Sequence, residues 1–526
     1  MATHNIEDGT GGMDGSLVYE LDRPENFGLG LNQTSSDFEL FPNKVISRAD
    51  VIAIGAIHAV ATCGGPIIPF KGGRVDSFVG GAGGTPEPQH DIASLTESFR
   101  KQGFNQADMI KLVACGHTMG GVRSDAFPQL VPPNPASPTV PVIQNFDTTM
   151  DFDNKVVTEY LDGSTQNVLV VAENKTMVSD LRVFESDGNS TMRSLADTQT
   201  FQNECRDILG RMLETVPRGV TLTDEITLLP EKVTYAQLAI EKEKLVFKTN
   251  LRLTQPINGT LNNDRTVTMF WCDKSGDNRD CRGVTRSSVP VKKVQDDPNV
   301  SPVTLKLGYF FMNYNFIVPI DAAQSIARFW FEVDEKDGST PKVYNNGGAN
   351  YVVDQDQIFF APMLSNVDVI SNGSYTKVYT NRDGEAFFRS YNLVLAVRNE
   401  LSPSRVYIDG FDSAVRDFKY AVSGTSEFAL NSSMPAVGGY KFYTGTFESS
   451  GLNLLIDAHA VVGDQTYTQA LMSAALLDNT PYVAPGTVST DVRSTAGAFS
   501  WRSREGWALS VVVSVSVAVL ATLYPL

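Results

Sequence analysis

The sequence predicts a mainly α domain followed by an all-β, sandwich-like domain and a hydrophobic C-terminal tail. Three observations carry this expectation. Apolar residues recur at helical spacing as far as about residue 215. From Thr234 they alternate instead, in aromatic and β-branched runs such as KLVFKTNLRL, TVTMFW, ARFWFEV and LNLLIDAHAVV. Residues 507–526 are uncharged and mostly apolar, about 30 Å long as a helix and so able to span a bilayer. The expected domains are 1–230, mainly helical; 231–482, all-β; 483–506, a Ser/Thr/Gly-rich stalk; and 507–526, an anchor segment.

Taken in order, residues 1–30 are rich in Gly and Asp and read as loop. Residues 47–63 read as a buried helix capped by Ser47, filled with Ile, Ala and Val on nearly every side. Residues 64–88 are loop, and 89–102 form an amphipathic segment with Ile92, Leu95 and Phe99 inward. The stretch 105–122, NQADMIKLVACGHTMGGV, opens with Asn105 and Asp108 spaced as a capping box. Ile110, Val113, Ala114 and His117 then share one face, and Gly120 and Gly121 stop the helix with His117 at its end. A Pro-rich connection leads to FDTTMDFDN at 146–154, a turn dense in carboxylates and hydroxyls. Residues 190–215 read as one helix with Leu195, Phe201, Ile208, Leu209 and Met212 on its apolar side.

A chain of 526 residues has room for more than one core. Its net charge of -17 argues against nucleic acid as a partner, since phosphate binding wants a basic face. Of five cysteines, Cys272 and Cys281 enclose the short polar loop CDKSGDNRDC, which favours a local disulfide. Acceptor sequons at Asn32, Asn174, Asn189, Asn258, Asn299, Asn372 and Asn431 favour a secreted glycoprotein. The opening MATHNIEDGTGG nevertheless has no basic and apolar leader. Small residues at 494–498, the spacer FSWRSREG and the terminal apolar run together make a GPI-anchor signal, with a single transmembrane helix as the alternative.

LVACGHTMGG resembles the proximal-histidine helix of the haem peroxidases of the plant, fungal and bacterial superfamily, as in cytochrome c peroxidase and the secreted fungal enzymes. GGMDGS at 11–16, ENFGLG at 25–30, SRADVIAIGAIHAV at 47–60 and GGPIIPFKGGRVD at 64–76 precede it in the family's order. MVSDLRVF at 177–184 resembles the proximal-aspartate segment. The resemblance covers residues 1–230 and implies a haem b cofactor with His117 as axial iron ligand. It implies that Asp180 accepts from the other ring nitrogen, and that Asn26 orients a distal histidine. Two Ca²⁺ ions are implied as well, one on Gly12 (by its carbonyl), Asp14 and Ser16, the other on Thr118, Asp147, Thr149 and Asp153, with Thr148 competing with Thr149. Arg74 and Asp76 match a segment where a structural salt bridge is the better reading. Cys63 and Cys115 lie on the two resembling helices and could pair, leaving Cys205 free.

The distal R-x-x-F-H stretch, which supplies the acid/base and the cation for peroxide cleavage, does not occur in these 526 residues. Two accounts are expected to compete: a start truncated before the distal histidine, favoured by the missing leader, or a protein without distal catalysis. No tryptophan stands between His117 and Asp180, which disfavours cytochrome c as reductant. The resemblance therefore implies a cell-surface or secreted peroxidase that takes hydrogen peroxide and small phenol-like one-electron donors, suited to a response to oxidative stress. The alternative is a catalytically impaired surface or adhesion protein acting through its β domain. A carbohydrate-binding role for residues 230–485 is a third expectation, by fold analogy alone.

Overall fold

The computed structural model describes residues 3–26, 29–38, 41–137, 140–241, 243–259, 262–282, 286–290, 292–299, 301–371, 387–412, 422–449 and 453–474. The expected stalk, the expected anchor and the sequon at Asn372 lie outside them. The chain divides into two compact units, Met1–Thr227 and Leu228–Leu526. No described helix is long and apolar enough to cross a membrane.

The first unit is built from helices α1 (Leu29–Phe38), α2 (Arg48–Thr62), α3 (Ile92–Lys101), α4 (Gln106–Gly116), α5 (Lys155–Asp162), α6 (Val168–Val171), α7 (Ser179–Phe184), α8 (Ser190–Ser194) and α9 (Thr198–Leu213). Their starts follow from local chemistry. Ser47 Oγ accepts from Asp50 N, Asp91 from Ser94 N, and Asn105 and Asp108 close the expected capping box around α4. The single helix expected over 190–215 is two. Asp197 has extended backbone and its carboxylate caps α9, so the chain turns between α8 and α9 while Leu195 stays in the core.

The core joins Ala53 and Ile57 of α2, Leu95 and Phe99 of α3, Met109, Ile110 and Ala114 of α4, Val183 and Phe184 of α7, and Phe201, Ile208 and Leu209 of α9. A disulfide between Cys115 and Cys205 ties α4 to α9. The expected Cys63–Cys115 pair is therefore not formed, and Cys63 is the free thiol. Arg211 reinforces the same joint, with two guanidinium nitrogens on the Asp108 carboxylate at 2.7 and 3.0 Å.

After α4 the chain makes a two-stranded antiparallel ladder, β1 (Gly121–Arg123) with β2 (Ile143–Asn145). A Cβ on Gly121 would sit 2.1 Å from Gln144 O, so only glycine allows this approach. The ladder folds the 124–142 connection back and delivers Phe146 beside the end of α4, with Phe146 N donating to Gly120 O at 3.2 Å.

The second unit runs through β3 (Glu231–Glu241), β4 (Lys244–Pro256), β5 (Thr266–Cys272), β6 (Arg286–Ser288), β7 (Lys292–Asn299), β8 (Tyr309–Pro319), β9 (Arg328–Asp334), β10 (Lys342–Tyr344) and β11 (Tyr351–Val352). It continues through β12 (Ile358–Phe360), β13 (Asn366–Ser371), β14 (Phe387–Arg398), β15 (Arg405–Asp412), β16 (Val422–Glu427), β17 (Ala429–Leu430), β18 (Tyr440–Ser449), β19 (Leu454–Val462) and β20 (Gln465–Ser473). These make four antiparallel sheets, ordered β3-β4-β8-β7, β10-β9-β5-β6 with β11 beside β9, β12-β14-β18-β17 with β13 beside β14, and β16-β15-β19-β20.

The third of these sheets is a wall shared by two cores. Its Phe359, Val394, Ala396, Tyr440 and Phe442 pack with the first two sheets, while Ile358, Phe360, Leu393, Leu395 and Val397 pack with the fourth. Alternate residues of β14 thus enter opposite cores, which is why LVLAV is apolar throughout rather than alternating. The Cys272–Cys281 disulfide closes the loop after β5, as the sequence leads one to expect.

Candidate functional site

His117 is the C-cap of α4, its amide donating to Val113 O at 2.8 Å. Its Nδ1 lies 2.7 Å from Asp180 Oδ2, across 63 residues of sequence. An ionised carboxylate only accepts, so Nδ1 carries the proton, and in the neutral ring Nε2 then keeps the lone pair. The ring is 31 % exposed and its Nε2 makes no hydrogen bond among the described residues. Asp180 is 2 % exposed. Its carboxylate does not cap α7; it also accepts from Asn167 Nδ2 at 2.8 Å and from Ser179 Oγ at 3.3 Å. Burial of the imidazole opposes protonation, but the Asp180 charge and its hydrogen bond prevail and raise the His117 pKa above its ordinary value.

Phe146 lies flat on the imidazole, ring centroids 4.1 Å apart and planes 10° from parallel. The ring of His117 is therefore held on one edge by a carboxylate and on one face by a phenyl, with Nε2 directed away from both. That donor set fits axial ligation of a haem iron: one nitrogen locked as a donor, the other a free neutral acceptor.

The family profile described as Peroxidase matches residues 4–204. The first unit carries a peroxidase domain. Among curated relatives, a WSC domain-containing protein of Arthroderma benhamiae is 40% identical over 244 residues, 46% of this chain and 34% of that protein. Putative L-ascorbate peroxidase 6 of Arabidopsis thaliana is 36% identical over 122 residues, 22% of this chain and 37% of that protein. The mitochondrial cytochrome c peroxidase of Yarrowia lipolytica is 32% identical over 126 residues, 22% and 36% of the two chains. The chain thus spans about a third of the length of these relatives.

Elsewhere in the peroxidase domain, the proximal oxygen cluster is assembled beside His117. Thr149 N and Oγ1 reach Asp147 Oδ1 at 3.0 and 3.3 Å, and Thr149 Oγ1 reaches Asp153 Oδ2 at 3.2 Å. Thr118 Oγ1 bonds the Asp153 main chain. Thr148, the rival of Thr149 in the sequence, turns instead to Glu159 of α5. Asp147 Oδ2 and Glu159 Oε2 are buried with no hydrogen-bond partner among the described residues. Burial, followed by the nearby Asp153 and Glu159 charges, raises the Asp147 pKa despite hydrogen bonds from Thr149. No group of three or more His, Cys, Asp and Glu side chains among the described residues could hold a metal ion. An oxygen-only cation site would draw on hydroxyls and carbonyls in addition.

The other expected cluster is a tight loop at 12–16. Asp14 N donates to Gly12 O at 3.0 Å, Asp14 Oδ1 accepts from Ser16 N at 3.1 Å, and Asp14 and Ser16 are both buried. Asn26 sits in a single 3₁₀ turn and donates to Glu20 O at 3.0 Å; it makes no hydrogen bond to a histidine among the described residues. Arg74 is structural, as expected, but with Asp50 (2.8 Å) and Leu213 O rather than Asp76. Asp76 accepts from the Arg48 and Ala49 amides at the start of α2.

Sequence reasoning missed Phe146 and Glu159. Phe146 precedes an aspartate in an oxygen-rich turn, an unusual place for a buried ring, and that was its only signal. Glu159 is a buried carboxylate on an otherwise amphipathic helix and carries none.

Proposed function

We propose that the first unit acts as a haem-dependent peroxidase that reduces hydrogen peroxide and oxidises small phenol-like one-electron donors, secreted or at the cell surface. The observation that carries this reading is the 2.7 Å contact of His117 Nδ1 with buried Asp180. His117 would hold the iron of haem b through Nε2. Bound haem supplies the redox-active iron that peroxide chemistry requires. The chain's own residues set that ligand up. Asp180 keeps the proton on Nδ1 and makes the imidazole more basic. Asn167 and Ser179 donate to the carboxylate and hold it in place, and Phe146 keeps water from one face of the ring.

Calcium belongs to the same proposal. A cation at Asp147, Thr149, Asp153 and Thr118 would pair the orphaned Asp147 oxygen and brace the turn that carries Phe146. Gly12, Asp14 and Ser16 would hold the second ion. The sequons support a secreted glycoprotein, and the 507–526 segment supports a GPI anchor or a membrane helix. The test is an absorption spectrum of the haem-reconstituted chain: a Soret band that is lost in His117→Ala supports the reading, and undiminished haem uptake by that variant rejects it.

A second reading, surface binding through the β unit without turnover, is favoured by one observation. None of the other four histidines is set up as a distal base. His4 Nδ1 contacts Gly11 O, His58 Nδ1 is buried in α2, His90 Nδ1 accepts from Glu87 N, and His459 lies in the second unit. A normal Soret band with no peroxide-driven oxidation of guaiacol would select this reading.

A further inference from the structure

A cleft of about 540 Å³ in the second unit is lined by the start of β3, by β9 and by the turn that leads into β11. Its walls are aromatic: Tyr235, Phe329 and Tyr351, the last two with centroids 5.3 Å apart and planes 26° from parallel. Its charged and amide side chains are Glu231, Lys232 and Asn346.

Lys232 is half-buried, and its ammonium makes no hydrogen bond or ion pair among the described residues, although Glu231 is its chain neighbour. Burial, and then the positive charge of Arg252 nearby, lower its pKa. An ammonium held partly out of water beside a second cation is unfavourable unless an anion completes the site. The lip is open: Asn346 and Gly347 take positive φ (52° and 68°), and nothing stands within 4 Å of the Gly347 Cβ position. The exposed Asn346 carboxamide makes no hydrogen bond among the described residues and can both donate and accept.

We propose that this cleft binds an acidic sugar, a uronic-acid unit of a polysaccharide. Its carboxylate pairs with Lys232, its ring face lies on Tyr235 and Tyr351, and its hydroxyls reach Asn346 and Glu231. Aromatic walls with a few convergent polar groups suit a flat, hydroxylated ring, and the unpaired ammonium selects the charged member of the class. The inference rests on the second unit alone and stands or falls independently of haem chemistry.

The experiment is calorimetric titration of the full chain with trigalacturonate, its methyl ester and benzoate. Saturable binding of trigalacturonate is expected, at least ten-fold weaker for the ester and for Lys232→Gln, retained in Lys232→Arg, and reduced in Tyr351→Ala. Benzoate should not saturate. Equal affinity for acid and ester, unchanged binding by Lys232→Gln, benzoate binding as tightly as the sugar, or no binding of trigalacturonate would each overturn the proposal. Lys232→Arg keeps the charge, so loss of binding in a folded Lys232→Arg protein also counts against it.

Discussion

Phe146 and His117 stack face to face, 4.1 Å between centroids, although 29 positions separate them in the chain. The contact depends on the β1–β2 ladder and on Gly121, where no side chain fits. Phe146 belongs to a small satellite cluster with Val122, Val131 and Leu169. Phe146→Ala should therefore cost about 3 kcal/mol, the lower end for a buried phenylalanine. Urea unfolding of the haem-free protein measures this, and a change within error would show the stack to be incidental.

Asp180→Asn removes a charge and keeps the shape. Without that charge, burial alone acts on His117, and its pKa should fall below the ordinary 6.5 instead of rising above it. NMR titration of the haem-free imidazole reads this directly. The sign for stability follows. A histidine with raised pKa stabilises the fold fully below about 6.5 and loses that contribution as pH rises through the folded value. The stability gap between wild type and Asp180→Asn should therefore narrow as pH rises from 6.5 through the raised folded value; a gap that widens would contradict the pairing.

Calcium should raise the melting temperature and a chelator should lower it. In calcium-free protein Asp147 has a raised pKa, so its stabilising share is present below 3.8 and disappears as pH rises through the folded value. Chelated protein should thus lose stability as pH rises above 3.8 through that folded value, and added calcium should abolish that loss. Glu159→Gln removes one repelling charge, so it should stabilise the chelated form. Melting curves indifferent to calcium at every pH would remove the ion from the proposal.

The two disulfides should differ in worth. Cys115–Cys205 closes 90 residues and Cys272–Cys281 closes 9. By loop entropy the first contributes about 4.6 kcal/mol and the second about 2.6 kcal/mol. Cys205→Ser should lower the melting point of the first unit more than Cys281→Ser lowers that of the second, by differential scanning calorimetry.

What was legible in the sequence was mostly local. The caps at Ser47 and Asn105 were readable because donor and acceptor lie three residues apart. His117 with Asp180 was readable only through family resemblance, since no periodicity links residues so far apart. Phe146, Glu159 and the Cys115–Cys205 bridge were not readable, because each is decided by which elements pack together. The helix expected over 190–215 shows how a strong apolar period can hide a break, here a cap at Asp197. In the β unit alternation marked most strands, but β14 carries an unbroken apolar run because both its faces are covered.

That doubly covered sheet has a consequence for how the C-terminal half can change. Stripping away either neighbouring layer would bare a continuous hydrocarbon slab of Leu393, Leu395 and Val397, or of Val394, Ala396 and Phe442. A trimmed version keeping only one core would aggregate rather than fold. The region must therefore be gained, lost or transplanted whole, and a protease that nicks one layer free should bring down the other with it.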